Sequence, residues 1–382
     1  MNNSSSKMDG VILANLLLVV KMMLSSSSLV TLNEWVGTGF DLMILMLICS
    51  KLMKQKYSKK EFLFISIVGV LCSYSSIVVG NFYLLFAFLF IISMKGVNLQ
   101  CLLSYRVLVK IGIISIHVLM FVITYIFFPN KISPVIRNGV IRYDFFLGQP
   151  NTCQMYVLWT SIELLFVIYN RLKAGHLCLI MGVNVLFYLV TNSNTSILLC
   201  FIIMAFILGE KYNIKCIKRI YNGIASKGFG ILAVIFAIIA LSYGSVSPFV
   251  RVLYAALDKV LTGRIAYGGY AYHVYGFSFL GQKISFPGLA QWNGQWFDDL
   301  YLDNGYLWLL LGYGIIHILI IAWLLFKYTK YMTEFEKISV AAMVLFGITE
   351  GYILDVSKCF SLLILGSVYY CFSSNKRCID EQ

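Results

Sequence analysis

The chain has 382 residues, of which 60% are hydrophobic and only 12% charged, with 5 prolines. Soluble domains carry about 25% charged residues, so a chain this apolar lacks the polar surface to face water and takes lipid as its solvent. The formal charge of +13 does not indicate nucleic acid, because most Lys and Arg sit in short clusters between apolar runs, where they set membrane orientation.

The N-terminal stretch MNNSSSKMDG opens onto an apolar run with no small-residue cleavage site, and reads as the entry to a first span. Apolar segments follow at 11–30, 33–50, 61–80, 81–94, 108–128, 152–169, 175–191, 195–209, 228–246, 303–326, 338–350 and 359–373. The expected fold is therefore all-α, a single polytopic membrane domain over 1–382 with about twelve spanning helices. Lys21 and the Ser25–Ser28 run interrupt the first segment. The 10 cysteines fall mainly in spans or basic loops, with no CxxC pair, so neither a disulfide framework nor a metal site is expected. No cofactor is expected either.

With both termini in the cytoplasm, the basic clusters Lys51–Lys60, Lys95–Lys110, Arg171–Lys173, Lys211–Lys227 and Lys327–Lys337 all lie inside. The cations left outside are Lys131, Arg137, Arg142, Arg251, Lys259, Arg264, Lys283 and Lys358. Two outer segments exceed simple turns: a first outer loop at 128–151 and a large one at 246–302. The large loop is rich in Tyr, Trp and Gly, which argues for an ordered segment packed on the bundle.

The outer arginines Arg137, Arg142, Arg251 and Arg264 run against the positive-inside tendency. A guanidinium suits bidentate binding of phosphate or carboxylate, so together they suggest an anionic ligand at the outer leaflet. Taken singly, each is also explained by a lipid headgroup or a neighbouring Asp. Arg264 lies in LTGRIAYGGYAYHVYGFSFLG, where Gly263 permits close backbone approach. In the same stretch Tyr267, Tyr270, Tyr272 and Tyr275 offer either a sugar-stacking surface or an interfacial aromatic belt. His273 is the lone outer histidine and a candidate base.

The large loop ends in WNGQWFDDLYLDNGYLWLLLGYG. Asp303, ahead of a span starting near Asn304, is either a helix N-cap or a base for an acceptor hydroxyl. Asp298 and Asp299 could hold a divalent cation but lack a third ligand. Glu163, inside the sixth segment, is either a polar contact between helices or part of a transport path.

These stretches resemble the Wzy-type polysaccharide polymerases, which are related to the O-antigen ligases. The resemblance rests on Arg142–Asn151 (RYDFFLGQPN), on LTGR at 261–264 followed by Phe279–Gly281, and on Leu302–Gly314 (LDNGYLWLLLGYG). Thr191–Ser196 (TNSNTS) sits where the family has a Thr/Ser-rich turn, without the usual arginine, and Gln149 stands where His is usual. The resemblance implies a GT-C-like fold in the bacterial inner membrane. It also implies glycosyl transfer from undecaprenyl pyrophosphate to a lipid-linked repeat unit on the outer face; whether a chain-length regulator is a further partner stays open. Arg264, with Arg142 or Arg251, would then meet the pyrophosphate, and His273 or Asp303 the acceptor hydroxyl. Arg137, Asn151, Tyr267, Tyr270 and Asn304 would bind substrate. A flippase for the same lipids, or a ligase-type transferase, is the alternative.

Overall fold

Polar residues at the edges of the apolar runs start the helices. Asp9, Asn33 and Asn98 each accept a backbone N–H of a first helical turn, while Ser58 with Glu61 and Thr333 with Glu336 form reciprocal capping boxes. The computed structural model describes residues 9–137, 139–244, 248–285, 288–292, 295–297 and 302–373.

In chain order, the first helices are α1 Gly10–Ser25, α2 Glu34–Lys54, α3 Lys59–Val79, α4 Tyr83–Ser93 and α5 Leu99–Phe127. An antiparallel hairpin, β1 Val135–Arg137 and β2 Val140–Arg142, leads to α6 Pro150–Ile168, α7 Ala174–Thr191 and α8 Asn194–Lys211. Next, α9 Lys215–Gly223 runs through a π-helical turn into α10 Phe229–Ser242. It is followed by α11 Pro248–Val260, α12 Arg264–Tyr275 and the hairpin β3 Ala290–Trp292 and β4 Gln295–Phe297. The chain continues with α13 Gly305–Trp308, α14 Ile315–Tyr328, α15 Glu334–Phe346 and α16 Ser361–Ser373.

Seven helices among the described residues are long and apolar enough to cross a membrane, so the protein is an all-α, multi-pass membrane protein. Several expected spans are shorter than anticipated. The segment 81–94 forms α4, with 11 residues, about 16 Å at 1.5 Å per residue against a hydrocarbon core of about 30 Å. The segment 303–326 is broken at Gly314, whose φ is +98°, and a Cβ there would lie 2.5 Å from the Phe279 carbonyl oxygen. The stretch 276–285 passes against this break: Ile315 N donates to Ser278 O (3.0 Å) and Gln282 N to Gly312 O (2.9 Å). Irregular backbone in a membrane protein survives where protein supplies such partners.

The chain divides into two compact units. The first comprises Met1–Lys56, Leu89–Ile214 and Val356–Gln382. Here α1 and α2 run antiparallel, tied at their ends by Lys51 to Asp9 and by Lys21 to Asp41 (2.5 Å). The innermost helix is α6, buried on every side from Cys153 to Thr160 and packed on α5, α7 and α8.

The second unit comprises Tyr57–Phe88 and Lys215–Asp355. In it α10 packs on α12, α13 and α14. Tyr306, fully buried, is flanked by Phe229 (5.3 Å) and Phe236 (5.9 Å, stacked), and its hydroxyl donates to Val344 O.

Three charges depart from the expected loops. Arg106 and Lys110, read as part of a basic loop, lie on α5 and are fully buried. Lys358, read as one of the outer cations, is 4% exposed within the buried stretch 353–366. Local hydropathy scores each charge as solvated and cannot see a partner distant in the sequence.

Candidate functional site

Arg142 is only 5% exposed. Its Nε donates to Thr191 O (2.6 Å) and its Nη2 to Asn151 Oδ1 (2.6 Å). This places RYDFFLGQPN against the TNSNTS turn, because Thr191 ends α7 and Asn151 lies in the first turn of α6 behind Pro150. The intervening chain is tightly wound. Phe145 and Phe146 take positive φ (52° and 61°), a cost of about 1–3 kcal/mol each. Gly148, at φ +88°, has no room for a Cβ, which would lie 2.8 Å from Ser26 O. Phe145 is locked between Phe121 (4.8 Å) and Phe187 (5.1 Å), and Phe146 N donates to Asp144 Oδ1 (2.9 Å).

The hairpin pairs Val135 with Arg142 and Arg137 with Val140, so Arg137 and Arg142 share one face. Arg137 is exposed. Burial, and then the charge of Arg137, holds Arg142 below its ordinary pKa, which means its cationic form lacks compensation. Among the described residues neither guanidinium makes an ion pair with a carboxylate, and Nη1 of Arg142 has no hydrogen-bond partner. Asp144, two residues on, makes no ion pair with Arg142; its Oδ1 accepts from Phe146 N instead (2.9 Å). A buried, uncompensated arginine beside a second one is an arrangement that an anion would complete.

An apolar groove of about 580 Å³ lies between α5, α6 and α7, lined by Ile111, Val118, Val122, Leu164, Leu179 and Val183 among others. A second hollow of about 440 Å³ shares Val122 and is lined by Tyr125, Ile141, Tyr143 and Val190. Ile141 and Tyr143 flank Arg142 in sequence, but alternate residues of a strand face opposite sides, so this hollow meets the hairpin on the face away from Arg137 and Arg142, and neither arginine lines it.

In the second unit Arg264 has the opposite surroundings. It opens α12 after Thr262 (φ 55°) and Gly263 (φ +89°), and is 9% exposed. Nη2 lies 3.2 Å from Asp303 Oδ2 and 3.7 Å from Glu350 Oε1. Nη1 donates to Leu261 O (3.1 Å) and to Thr262 Oγ1. Arg264 is thus set between two carboxylates, where Arg142 has none. Asp303 is the accessible one, its side chain 44% exposed against 10% for Glu350. Asn304, not Asp303, caps the next helix: its Oδ1 accepts from Leu307 N (2.9 Å) and its Nδ2 donates to Ile348 O (2.8 Å). A Cβ on Gly305 would lie 2.9 Å from Glu350 O, so this glycine permits the close approach that sets Asp303 beside Glu350.

The remaining expected residues divide as follows. His273 is exposed, nine residues beyond Arg264 on α12, which puts it about 13 Å along the axis and half a turn around; its ring stacks on Trp292 (5.2 Å). Tyr270 is buried against Trp292 (6.0 Å), and Tyr267 lies against Gly263. Arg251 lies on α11, its side chain outside the description, and Asp298 and Asp299 fall outside the described residues.

Sequence reasoning gave Glu350 no role and missed the partners of Glu163, which joins helices through a buried charge cluster in the first unit. All five N–H groups of Arg106 are used: on Glu163 Oε1 from Nε and Nη2, and on Asn15 Oδ1, Val356 O and Ser357 O. Lys110 donates to the same Glu163 oxygen (2.8 Å). The i, i+4 spacing of Arg106 and Lys110, inside an apolar run, was the available signal.

Comparison with family models, curated proteins and solved structures finds no match for this chain.

Proposed function

We propose that the chain is a membrane glycosyltransferase of the polysaccharide-polymerase type. It would move a growing glycan from undecaprenyl pyrophosphate onto a lipid-linked repeat unit at the outer face of the bacterial cell membrane. The observation that carries this reading is the Arg137–Arg142 pair, which shares one face of the hairpin and meets no carboxylate among the described residues, an arrangement a pyrophosphate would complete. The twelve-span, GT-C-like architecture with both termini inside belongs to the same proposal.

In the reaction the acceptor hydroxyl oxygen attacks the anomeric carbon of the donor sugar. The carbon–oxygen bond to pyrophosphate breaks and the bonding pair leaves with the phosphate oxygen. Arginines stabilise the negative charge that develops there. Arg137 and Arg142 take this role in preference to Arg264, whose charge already faces two carboxylates. The proton of the hydroxyl passes to a base; Asp303, exposed and oriented by the Arg264 guanidinium, is the second unit's candidate for that role on its own surroundings.

A transport reading has one observation in its favour, the buried Arg106–Lys110–Glu163 cluster, since charges inside membrane helices often line a path. Replacement of the gene by Arg142→Ala in a deletion strain separates the readings by where glycan accumulates. Single lipid-linked units on the outer face support a polymerase, and the same units held on the cytoplasmic face support a flippase. Finished polymer left on its lipid carrier supports a ligase-type transferase. Full-length surface glycan from a strain carrying normal amounts of Arg142→Ala would remove Arg142 from the site.

A further inference from the structure

Helix α11, PFVRVLYAALDKV, bears apolar residues at 249, 252, 253, 256, 257 and 260. At 100° per residue these fall within an arc of roughly 140°. The stripe is bare: Phe249 is 83% exposed, Val252 71%, Leu253 51%, Leu257 39% and Val260 77%. Off the stripe, Tyr254 and Asp258 tie the helix to the protein, while Ala255 and Lys259 are exposed between them and the stripe's far edge. The Tyr254 ring stacks on Tyr243 (6.2 Å, 3° between planes), and its hydroxyl lies 2.7 Å from Ser242 Oγ. The Asp258 carboxylate accepts from Ile265 N (2.7 Å) and Ala266 N (3.0 Å).

Ser242 is the last residue of α10 and closes Lys215–Ser242, one of the segments long and apolar enough to cross the bilayer. The Tyr254–Ser242 contact therefore pins α11 at the level where that segment leaves the hydrocarbon. Tyr243, Tyr270 and Trp292 gather at the same place, Trp292 lying 5.6 Å from Tyr243 and 6.0 Å from Tyr270, and Tyr and Trp collect at the headgroup level.

We infer that α11 is an interfacial helix, lying in the membrane plane with its apolar stripe among the acyl chains of the leaflet at which α10 ends. A stripe held at that depth meets lipid before it meets any other partner. The inference does not depend on the glycan-transfer reading. Its consequence is mechanical: Asp258 fastens the first turn of α12, so seating α11 in lipid also sets the height of Arg264 relative to the headgroups.

The test uses the full-length protein in native membranes with a photoreactive benzophenone amino acid at Val252, at Leu257 or, off the stripe, at Ala255. Each labelled peptide is read by mass spectrometry after illumination. The expected result is a shift by the mass of one phospholipid at Val252 and Leu257, lost at Ala255. Cross-links from the stripe to another protein or to a polyprenyl carrier would overturn the inference. So would equal lipid labelling at all three positions, or no adduct at any.

Discussion

Arg142 and Arg264 differ in what surrounds them. Arg142 is fixed by neutral acceptors, Asn151 and a carbonyl, and keeps its charge unspent, whereas Arg264 is held by Asp303 and Glu350. The two carboxylates should accordingly respond differently to neutralisation. Asp303→Asn is expected to lower polymer synthesis by on the order of 10²-fold, the scale of a lost general base, with unchanged protein level. Glu350→Gln, mostly buried, is expected to cost less activity and more protein. Equal effects in a quantitative glycan gel would remove the distinction. Asp144 makes a separate prediction. Burial raises its folded-state pKa above the ordinary 3.8. The stability linked to its protonation is thus fully present below about that pH and is lost as pH rises through the raised value. Asp144→Asn keeps the acceptor for Phe146 N and removes the titration. Relative to wild type its melting temperature should rise by about 1–3 °C on going from acid to neutral pH, as measured in detergent.

Elements that depend only on neighbouring residues were legible in the sequence, and those that depend on remote partners were not. The helix starts at Asp9, Ser58 and Thr333 carry their own caps. The break at Gly314 needs the stretch 276–285 beside it, so hydropathy alone joins α13 to α14. The aromatics of the large loop stood out in the sequence, but the tilted contact of Tyr270 with Trp292 (6.0 Å) joins residues 22 apart. Likewise the RYDFFLGQPN stretch stood out, but its contact with Thr191 crosses from one helix end to another. Gly305 shows how narrow such a junction is: a Cβ would lie 2.5 Å from Ile353 Cδ1 as well as against Glu350 O. Gly305→Ala is expected to cost about 1–3 kcal/mol and, in protein that still folds, to reduce activity by displacing Asp303. Normal stability together with normal activity would count against that packing.

At the scale of the whole molecule, charge divides by burial. Most exposed Lys and Arg fall where the positive-inside tendency would use them, and among the described residues the buried Arg106, Lys110 and Arg264 meet carboxylates while Arg142 does not. If both termini are cytoplasmic, the exposed Cys216 on basic α9 should react with a membrane-impermeant thiol reagent in inside-out vesicles and not in intact cells; the reverse pattern would invert the topology. The buried ion pairs predict that Glu163→Gln, which leaves Arg106 and Lys110 without their shared carboxylate, costs about 3–5 kcal/mol. Adding Lys110→Met to Glu163→Gln should recover part of that loss, and a double-mutant cycle on membrane protein level would measure the coupling.

The same cluster constrains how the chain is made. Arg106 lies 57 residues before Glu163 and 250 before Val356. At about 5–20 residues per second of synthesis, the carboxylate follows by roughly 3–11 s and the carbonyl acceptors by roughly 12–50 s. Helix α5 therefore emerges from the ribosome with two cations that lipid solvates poorly. It must either wait at the translocon to enter as a pair with α6, or enter alone and be held until Val356 and Ser357 arrive.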